Sequence, residues 1–258
     1  TPVTTLDVEC FGGISRLDKI SWLRKWMLLQ EVDTDSDRSF HQNQWIGYET
    51  ALEKYESRFA LNYSCKLVPY PIFDRIGQVQ SGLATYSRYD IDSATRFSLP
   101  NASSWPVRPC YLKRCMLVTR LHVDGITEPV LDDKGEEIPN AFVKELVVIN
   151  VHLEAYDSDK ARAEQAKQLI EFAEAEYAKG NYVIVGGDFN QAFPNSVVLY
   201  GESEQWQPGE LLELPKHWEY VYDNLTPTCR LLNEPYDPES GDTQYYVIDG
   251  YILSPNVN

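Results

Sequence analysis

Between residues 144 and 190 the apolar and polar positions fall into the clearest order in the chain. Residues 145–153, ELVVINVHL, are rich in β-branched side chains and predict a buried strand. A helix follows, capped at Asp157 or Ser158 and running to about Lys179. Its residues Ala166, Leu169, Ile170, Ala173 and Tyr177 recur at the spacing of one buried face, and Gly180-Asn181 stops it. Residues 182–185, YVIV, predict a second strand, broken at Gly186-Gly187. A strand, a helix and a strand in this order make a right-handed crossover between parallel strands. Both strands then end at one sheet edge, the usual place for chemistry in such sheets, which brings His152, Asp188 and Asn190 there.

Weaker patterns surround this unit. Residues 26–30 (WMLLQ) predict a short strand ending at Glu31, residues 44–59 a helix, and residues 82–87 and 115–123 two strands. Residues 132–137 (DDKGEE) read as a hairpin tip. Residues 245–253 (YYVIDGYIL) predict a late strand with Asp249 in its middle. Residues 191–242, rich in Pro, Glu and Asn, predict long loops with a little helix.

Composition narrows the class. Hydrophobic residues are 43% and charged residues 24%, a balance that suits a folded protein of one large or two small domains. Lys and Arg number 23 against 39 Asp and Glu, a net charge of −16. That charge opposes non-specific nucleic-acid binding, which draws its affinity from cationic side chains on phosphates. No apolar run is long enough to span a membrane. The chain begins at Thr1, so a removed leader or anchor stays open, with the cytoplasm favoured. The five cysteines, Cys10, Cys65, Cys110, Cys115 and Cys229, are odd in number and form no C-x-x-C pair, so reduced buried thiols are expected.

Several common motifs fail. Residues 33–37 (DTDSD) open like a calcium loop, but Arg38 stands where Gly is needed and Gln44 where a bidentate Glu is needed, leaving a solvated acidic turn. No G-x-S-x-G, Walker loop or H-E-x-x-H occurs. Gly186-Gly187-Asp188-Phe189-Asn190 is the most informative stretch. Its glycines allow close backbone approach, while a carboxylate can activate water and an amide can donate to an oxyanion. Its bland reading is a β-turn. Taken singly, His152 reads as a core histidine and Glu31 as a strand end. Asp249, amid apolar neighbours, needs a partner or a metal.

Four pieces taken together carry a resemblance. They are Leu29-Gln30-Glu31-Val32-Asp33, Asn150-Val151-His152-Leu153, Gly187-Asp188-Phe189-Asn190 and Ile248-Asp249-Gly250-Tyr251-Ile252-Leu253-Ser254. In this order they resemble the endonuclease/exonuclease/phosphatase superfamily. Residues 35–44 (DSDRSFHQNQ), Thr228-Cys229-Arg230 and Glu234-Pro235-Tyr236 are similar to an uncharacterised bacterial subgroup.

The resemblance implies an α+β fold, a four-layer α/β/β/α sandwich of two facing mixed sheets, in a single domain over residues 1–258. It implies metal-assisted phosphoester hydrolysis with Mg²⁺, or Mn²⁺ in its place. Glu31 would ligate the metal, Asp188 would position and activate water, Asn190 would hold that water or phosphoryl oxygens, and His152 would bond a phosphate oxygen. Asp249 would orient a second histidine. That histidine belongs to a Ser-Asp-His strand that the family places after Asp249, and the chain stops at Asn258 before it. His217 is the one available substitute. At the front no Asn precedes Glu31, and only residues 14–25 are available for the family's helix, so a chain incomplete at both ends is expected.

Arg38, His41 and Arg230 are the candidates for substrate phosphate, because arginine offers a planar fork of donors. The expected substrate is a small phosphodiester or phosphomonoester and the expected state a monomer. Two readings stand beside this one. A nuclease of the same fold would need a basic stripe, for which residues 16–25 and 108–114 are the candidates. A catalytically dead phospholigand-binding module would keep the fold without the terminal histidine.

Overall fold

A computed structural model describes residues 25–69, 75–101, 110–123, 126–155, 160–196, 207–209, 212–230 and 244–257. The expected cap at Asp157 or Ser158, Glu234-Pro235-Tyr236, most of residues 14–25 and parts of the 191–242 region lie outside the described residues.

Three antiparallel strands form the smaller sheet: β1 (Trp26–Asp33), β2 (Glu56–Val68) and β3 (Gly77–Ser87), in the order β1-β3-β2. The larger sheet takes β4 (Ile91–Ser98), β5 (Cys115–Leu121), β8 (Leu146–His152), β9 (Tyr182–Asp188), β10 (Glu219–Val221) and β13 (Asp249–Leu253), in the order β10-β13-β9-β8-β5-β4. It is mixed, with β8 and β9 parallel as the crossover requires. β6 (Glu128–Leu131) and β7 (Glu137–Lys144) make a hairpin whose tip is the predicted DDKGEE turn, and β11 (Cys229–Arg230) pairs with β12 (Gln244–Tyr246). Helix α1 (Gln44–Ala51) packs on the smaller sheet and helix α2 (Lys160–Ala178) on the larger one. The architecture is the expected α+β sandwich.

Period-two alternation explains why the larger sheet is covered on both faces. In β8, Val147, Ile149 and Val151 pack with Ala166, Leu169 and Ala173 of α2. Leu146 and Val148 point the other way, to Trp26 and Leu28 of β1. Asn150 continues that second row. Its amide accepts from Gln30 Nε2 at 2.9 Å and donates to Leu29 O and Ala84 O, so one polar pair bridges the two sheets.

Four predicted elements differ from those observed. The helix expected over residues 44–59 ends at Ala51, because residues 56–68 are drawn into a long ladder with β3. The strand expected to break at Gly186-Gly187 continues to Asp188. The late strand is split, with β12 ending at Tyr246 and β13 starting at Asp249, so Asp249 opens a strand rather than lying inside one. The thiols are not all reduced: Cys65 and Cys110 form a disulfide with a Cα–Cα distance of 5.0 Å, while Cys115 and Cys229 are free. β2, which the sequence pattern did not predict, carries Cys65 to Cys110.

Candidate active site

Strand pairing fixes the site. His152 lies opposite Asp188 in the parallel β8–β9 ladder, and Asp188 opposite Asp249 in the antiparallel β9–β13 ladder. Paired residues project to the same face, so the three share one rung. Two residues back along β8 and β9, and two on along β13, Asn150, Gly186 and Tyr251 form another rung, and it faces β1: Asn150 bonds Gln30, and Tyr251 packs with Leu28. The functional rung is therefore at the rim of the space between the sheets. No side chain fits at Gly186 or Gly187. A Cβ at Gly187, where φ is +136°, would lie 2.1 Å from Val151 O, and one at Gly186 would enter the Tyr251 ring. Gly186 serves the approach of Leu28 from β1 and Gly187 the close backbone of β8, and neither makes the predicted break.

Glu31 enters the same rim from β1. Pairing with β3 slips between Leu29 and Val32, and Glu31 takes φ of +53°. Such a bulge re-aims a side chain, and this one points Glu31 outward while Gln30 stays buried. Arg38 reaches back from the following turn. It meets Asp33 through Nε and Nη2, each at 3.0 Å from a carboxylate oxygen, and Glu31 Oε2 at 3.4 Å through Nη1. Asp33 is fully buried, while Asp35 and Asp37 are half-exposed, so the residue 33–37 turn is the expected solvated acidic turn only beyond its first carboxylate.

The rim electrostatics follow from burial. Asp188 is pushed up to about 7, first by desolvation; the Glu31 charge adds to the rise, and the Asn190 N–H and Arg114 oppose it. His152 is 5% exposed and its imidazole is held well below its ordinary value by burial, then by the charges of Arg114 and Arg38. It is neutral. Its Nε2 lies 3.4 Å from Asp188 Oδ2, and its Nδ1 is buried without a hydrogen-bond partner. Asn190, at φ +50°, donates its backbone N–H to Asp188 Oδ1 and its amide to Leu153 O, each at 2.9 Å. Asp249 is buried, and its backbone N–H donates to Thr228 Oγ1 at 3.2 Å.

Thus Glu31, His152, Asp188, Asn190 and Asp249 converge, with Arg38 beside them. His41 is instead an exposed clasp, its two ring nitrogens engaged by Asp35 at 2.6 Å and Asp37 at 3.0 Å. Arg230 begins outside the rim strands, in β11, and its side chain lies outside the described residues. His217 precedes β10, which pairs Glu219 with Leu253, so it lies toward the far end of β13 from Asp249. A groove of 640 Å³ along α2, lined by Arg162, Lys167, Glu171, Glu174 and Glu213, meets the site's edge through Gln191 and through Arg162, which donates to Asn190 O at 3.1 Å.

Sequence reasoning missed two neighbours. Arg114, one residue before β5, is 2% exposed, 3.9 Å from Glu154 and close enough to influence both Asp188 and His152. In the sequence it belongs to a basic cluster that looks like surface, and only the β5–β8 register brings it to His152. The Cys229 thiol is pushed up to about 12 by burial and by Asp188 and Asp249.

Among the described residues no group of three or more His, Cys, Asp or Glu converges as a metal cage. The donors still suit a hard cation. Two carboxylates, Glu31 and Asp188, face each other closely enough to raise the latter, and a guanidinium already sits beside Glu31. Mg²⁺ commonly takes only one or two protein carboxylates and keeps its waters.

The sequence model of the Endonuclease/Exonuclease/phosphatase family matches residues 27–231. The chain belongs to this family. Comparison with curated proteins finds no match. Among solved structures, an endonuclease/exonuclease/phosphatase from Beutenbergia cavernae aligns at 17% identity and a TM-score of 0.51, covering 95% of this chain and 60% of that one. The chain thus spans about three-fifths of that relative. ANGEL2, a 2′,3′-cyclic phosphatase, aligns at 14% identity and a TM-score of 0.50, covering 94% and 73%. At these identities the structural likeness concerns the fold, and the family rests on the sequence model.

Proposed function

We propose that this endonuclease/exonuclease/phosphatase-family domain is a Mg²⁺-dependent hydrolase of small phosphodiesters or phosphomonoesters, acting as a monomer. The supporting observation is the rung His152–Asp188–Asp249 facing Glu31 across the sheet gap, with Asp188 raised to about 7. A carboxylate with that value is a competent general base near neutral pH.

Each residue has a task. Glu31, with Asp188 near it, would hold the cation, which when bound supplies charge neutralisation for the phosphoryl group. Asp188 orients a water and takes its proton. Asn190 fixes Asp188 through its backbone N–H. Neutral His152 donates one N–H to a phosphoryl oxygen. Arg114 and Arg38 supply positive charge to the phosphate, and Arg38 exchanges part of its bonding to Glu31 for the substrate. Asp249 stands on the same rung, where it would orient a histidine from outside the chain described.

Burial of Arg114 removes it from any exposed basic stripe, which together with the net charge of −16 favours a small ester over nucleic acid. The deciding assay is hydrolysis of aryl phosphomonoesters and diesters with Mg²⁺ and with chelator. Asp188→Asn should lower turnover at least ~100-fold. Turnover that survives this change, or that ignores chelation, would reject the hydrolase assignment. Ligand binding without turnover would favour the dead module.

A further inference from the structure

The segment that seats Arg114 is fastened from outside the site. Residues 110–114 lead into β5 and run antiparallel beside β2, the outer strand of the smaller sheet. Cys110 is bonded to Cys65, Lys113 N–H donates to Asn62 O at 2.7 Å, and the Tyr63 hydroxyl donates to Cys110 O at 3.1 Å. From the other side Arg96 donates to Lys113 O at 2.9 Å and Asn101 to Leu112 O at 3.1 Å. The disulfide therefore ties the smaller sheet to the entrance of the larger one, four residues from Arg114.

The load on that tie is Arg114 itself. Its side chain is buried, its Nε and Nη1 have no hydrogen-bond partner among the described residues, and Glu154 stands 3.9 Å away. A buried guanidinium this poorly bonded is unfavourable and moves toward water wherever its backbone allows. Cys65 is buried, but Cys110 is exposed and open to attack by a thiolate.

We propose that the Cys65–Cys110 disulfide is a redox latch that holds Arg114 beside His152 and Asp188, so that the oxidised protein binds phosphate well and the reduced protein binds it poorly. The proposal rests on the site reading given above. Opening needs a dithiol. One thiolate attacks Sγ of Cys110, releasing the Cys65 thiolate and forming a mixed disulfide. The second thiol then displaces Cys110. Two cysteine thiols and an oxidised, cyclic reductant result. A bridge of this kind belongs to oxidising surroundings, which argues against the cytoplasm favoured by sequence.

Calorimetry of inorganic phosphate binding to the full chain, at fixed Mg²⁺, tests this without requiring turnover. Reduction by excess dithiol should raise Kd ~10-fold or more, the loss expected for one charge-assisted contact. The double variant Cys65→Ser/Cys110→Ser should match the reduced protein without reductant, and Cys65→Val/Cys110→Ala gives an apolar replacement should the serines fold poorly. Arg114→Lys should bind weakly and lose most of its response to dithiol. Amide exchange should quicken at residues 110–116 and not in β8 or β9.

An unchanged Kd once two new thiols are titrated would overturn the latch. So would a full dithiol response in Arg114→Lys, global unfolding on reduction, or no phosphate binding in either state. Redox-dependent phosphate binding without hydrolysis would uphold the latch and reject the hydrolase. Mg²⁺-dependent hydrolysis indifferent to dithiol would do the reverse.

Discussion

Asp188 illustrates how one buried carboxylate sets both activity and stability. Its value is raised from 3.8 to about 7, so the folded state holds a proton that the unfolded state has released. Stability therefore falls as pH rises from about 4 through about 7 and is flat above. Asp188→Asn keeps the oxygen that accepts from Asn190 and removes the buried charge. It should raise the pH 8 denaturation midpoint in metal-free buffer, by a stabilisation on the order of 1–3 kcal/mol, in the same protein whose turnover is lost. The acid limb of the rate profile should fall near pH 7 at low Mg²⁺ and move lower as Mg²⁺ increases, because a nearby cation favours the carboxylate. His152 should contribute no limb between pH 6 and 8, since its imidazole stays neutral there. At this scale the sequence made legible that Glu31, His152, Asp188, Asn190 and Asp249 come together, though the Asn190 amide, expected at water or phosphoryl oxygens, is turned to Leu153 O. Arg114 was illegible because its partners are supplied by strand register. The sequence did not show that two nearby carboxylates, Asp35 and Asp37, engage the His41 ring.

Elements decide how tightly the rim is built. Gln30 donates to Asn150 across the gap between the sheets, and Asn150 donates on to Leu29 O and Ala84 O, deep behind the functional rung. Gln30→Ala strips Asn150 Oδ1 of its donor and should cost about 1–3 kcal/mol, the usual loss when a buried polar atom is orphaned, read by urea unfolding. Gly187→Ala forces a Cβ into Val151 O at a φ few side chains adopt. It should destabilise by about 2–4 kcal/mol and shift Asp188 off its rung, so kcat should fall even in the folded fraction. The crossover from β8 through α2 to β9 was readable because its periodicities are long and uninterrupted. Residues 56–68 were not, because a strand with mixed burial on both faces carries no clean alternation. The Gly186-Gly187 pair was taken for a break because glycine signals a turn and a close approach with the same letter.

For the whole molecule, the −16 charge and the buried Arg114 act together. Self-repulsion should make Tm rise as salt is added at low ionic strength, and duplex DNA should not be retained at physiological salt. Salt-sensitive retention of DNA in a filter assay would bring the nuclease reading back. The sandwich itself followed from ordered fragments of motif. Its closure by a covalent bridge did not, because cysteine partners 45 residues apart are set by tertiary approach.

The functional rung also divides the molecule into what can vary and what cannot. Ladder spacing ties His152, Asp188 and Asp249 to one another, so no member can shift without unzipping its neighbours. The turn of residues 33–43 is held instead by bonds to β3, with Ser36 on Gln80 and Asp37 on Gln78, and leaves positions such as Phe40 exposed. New substrate preference should therefore arise by exchange of the exposed positions around a retained Arg38, on an unaltered set of strands.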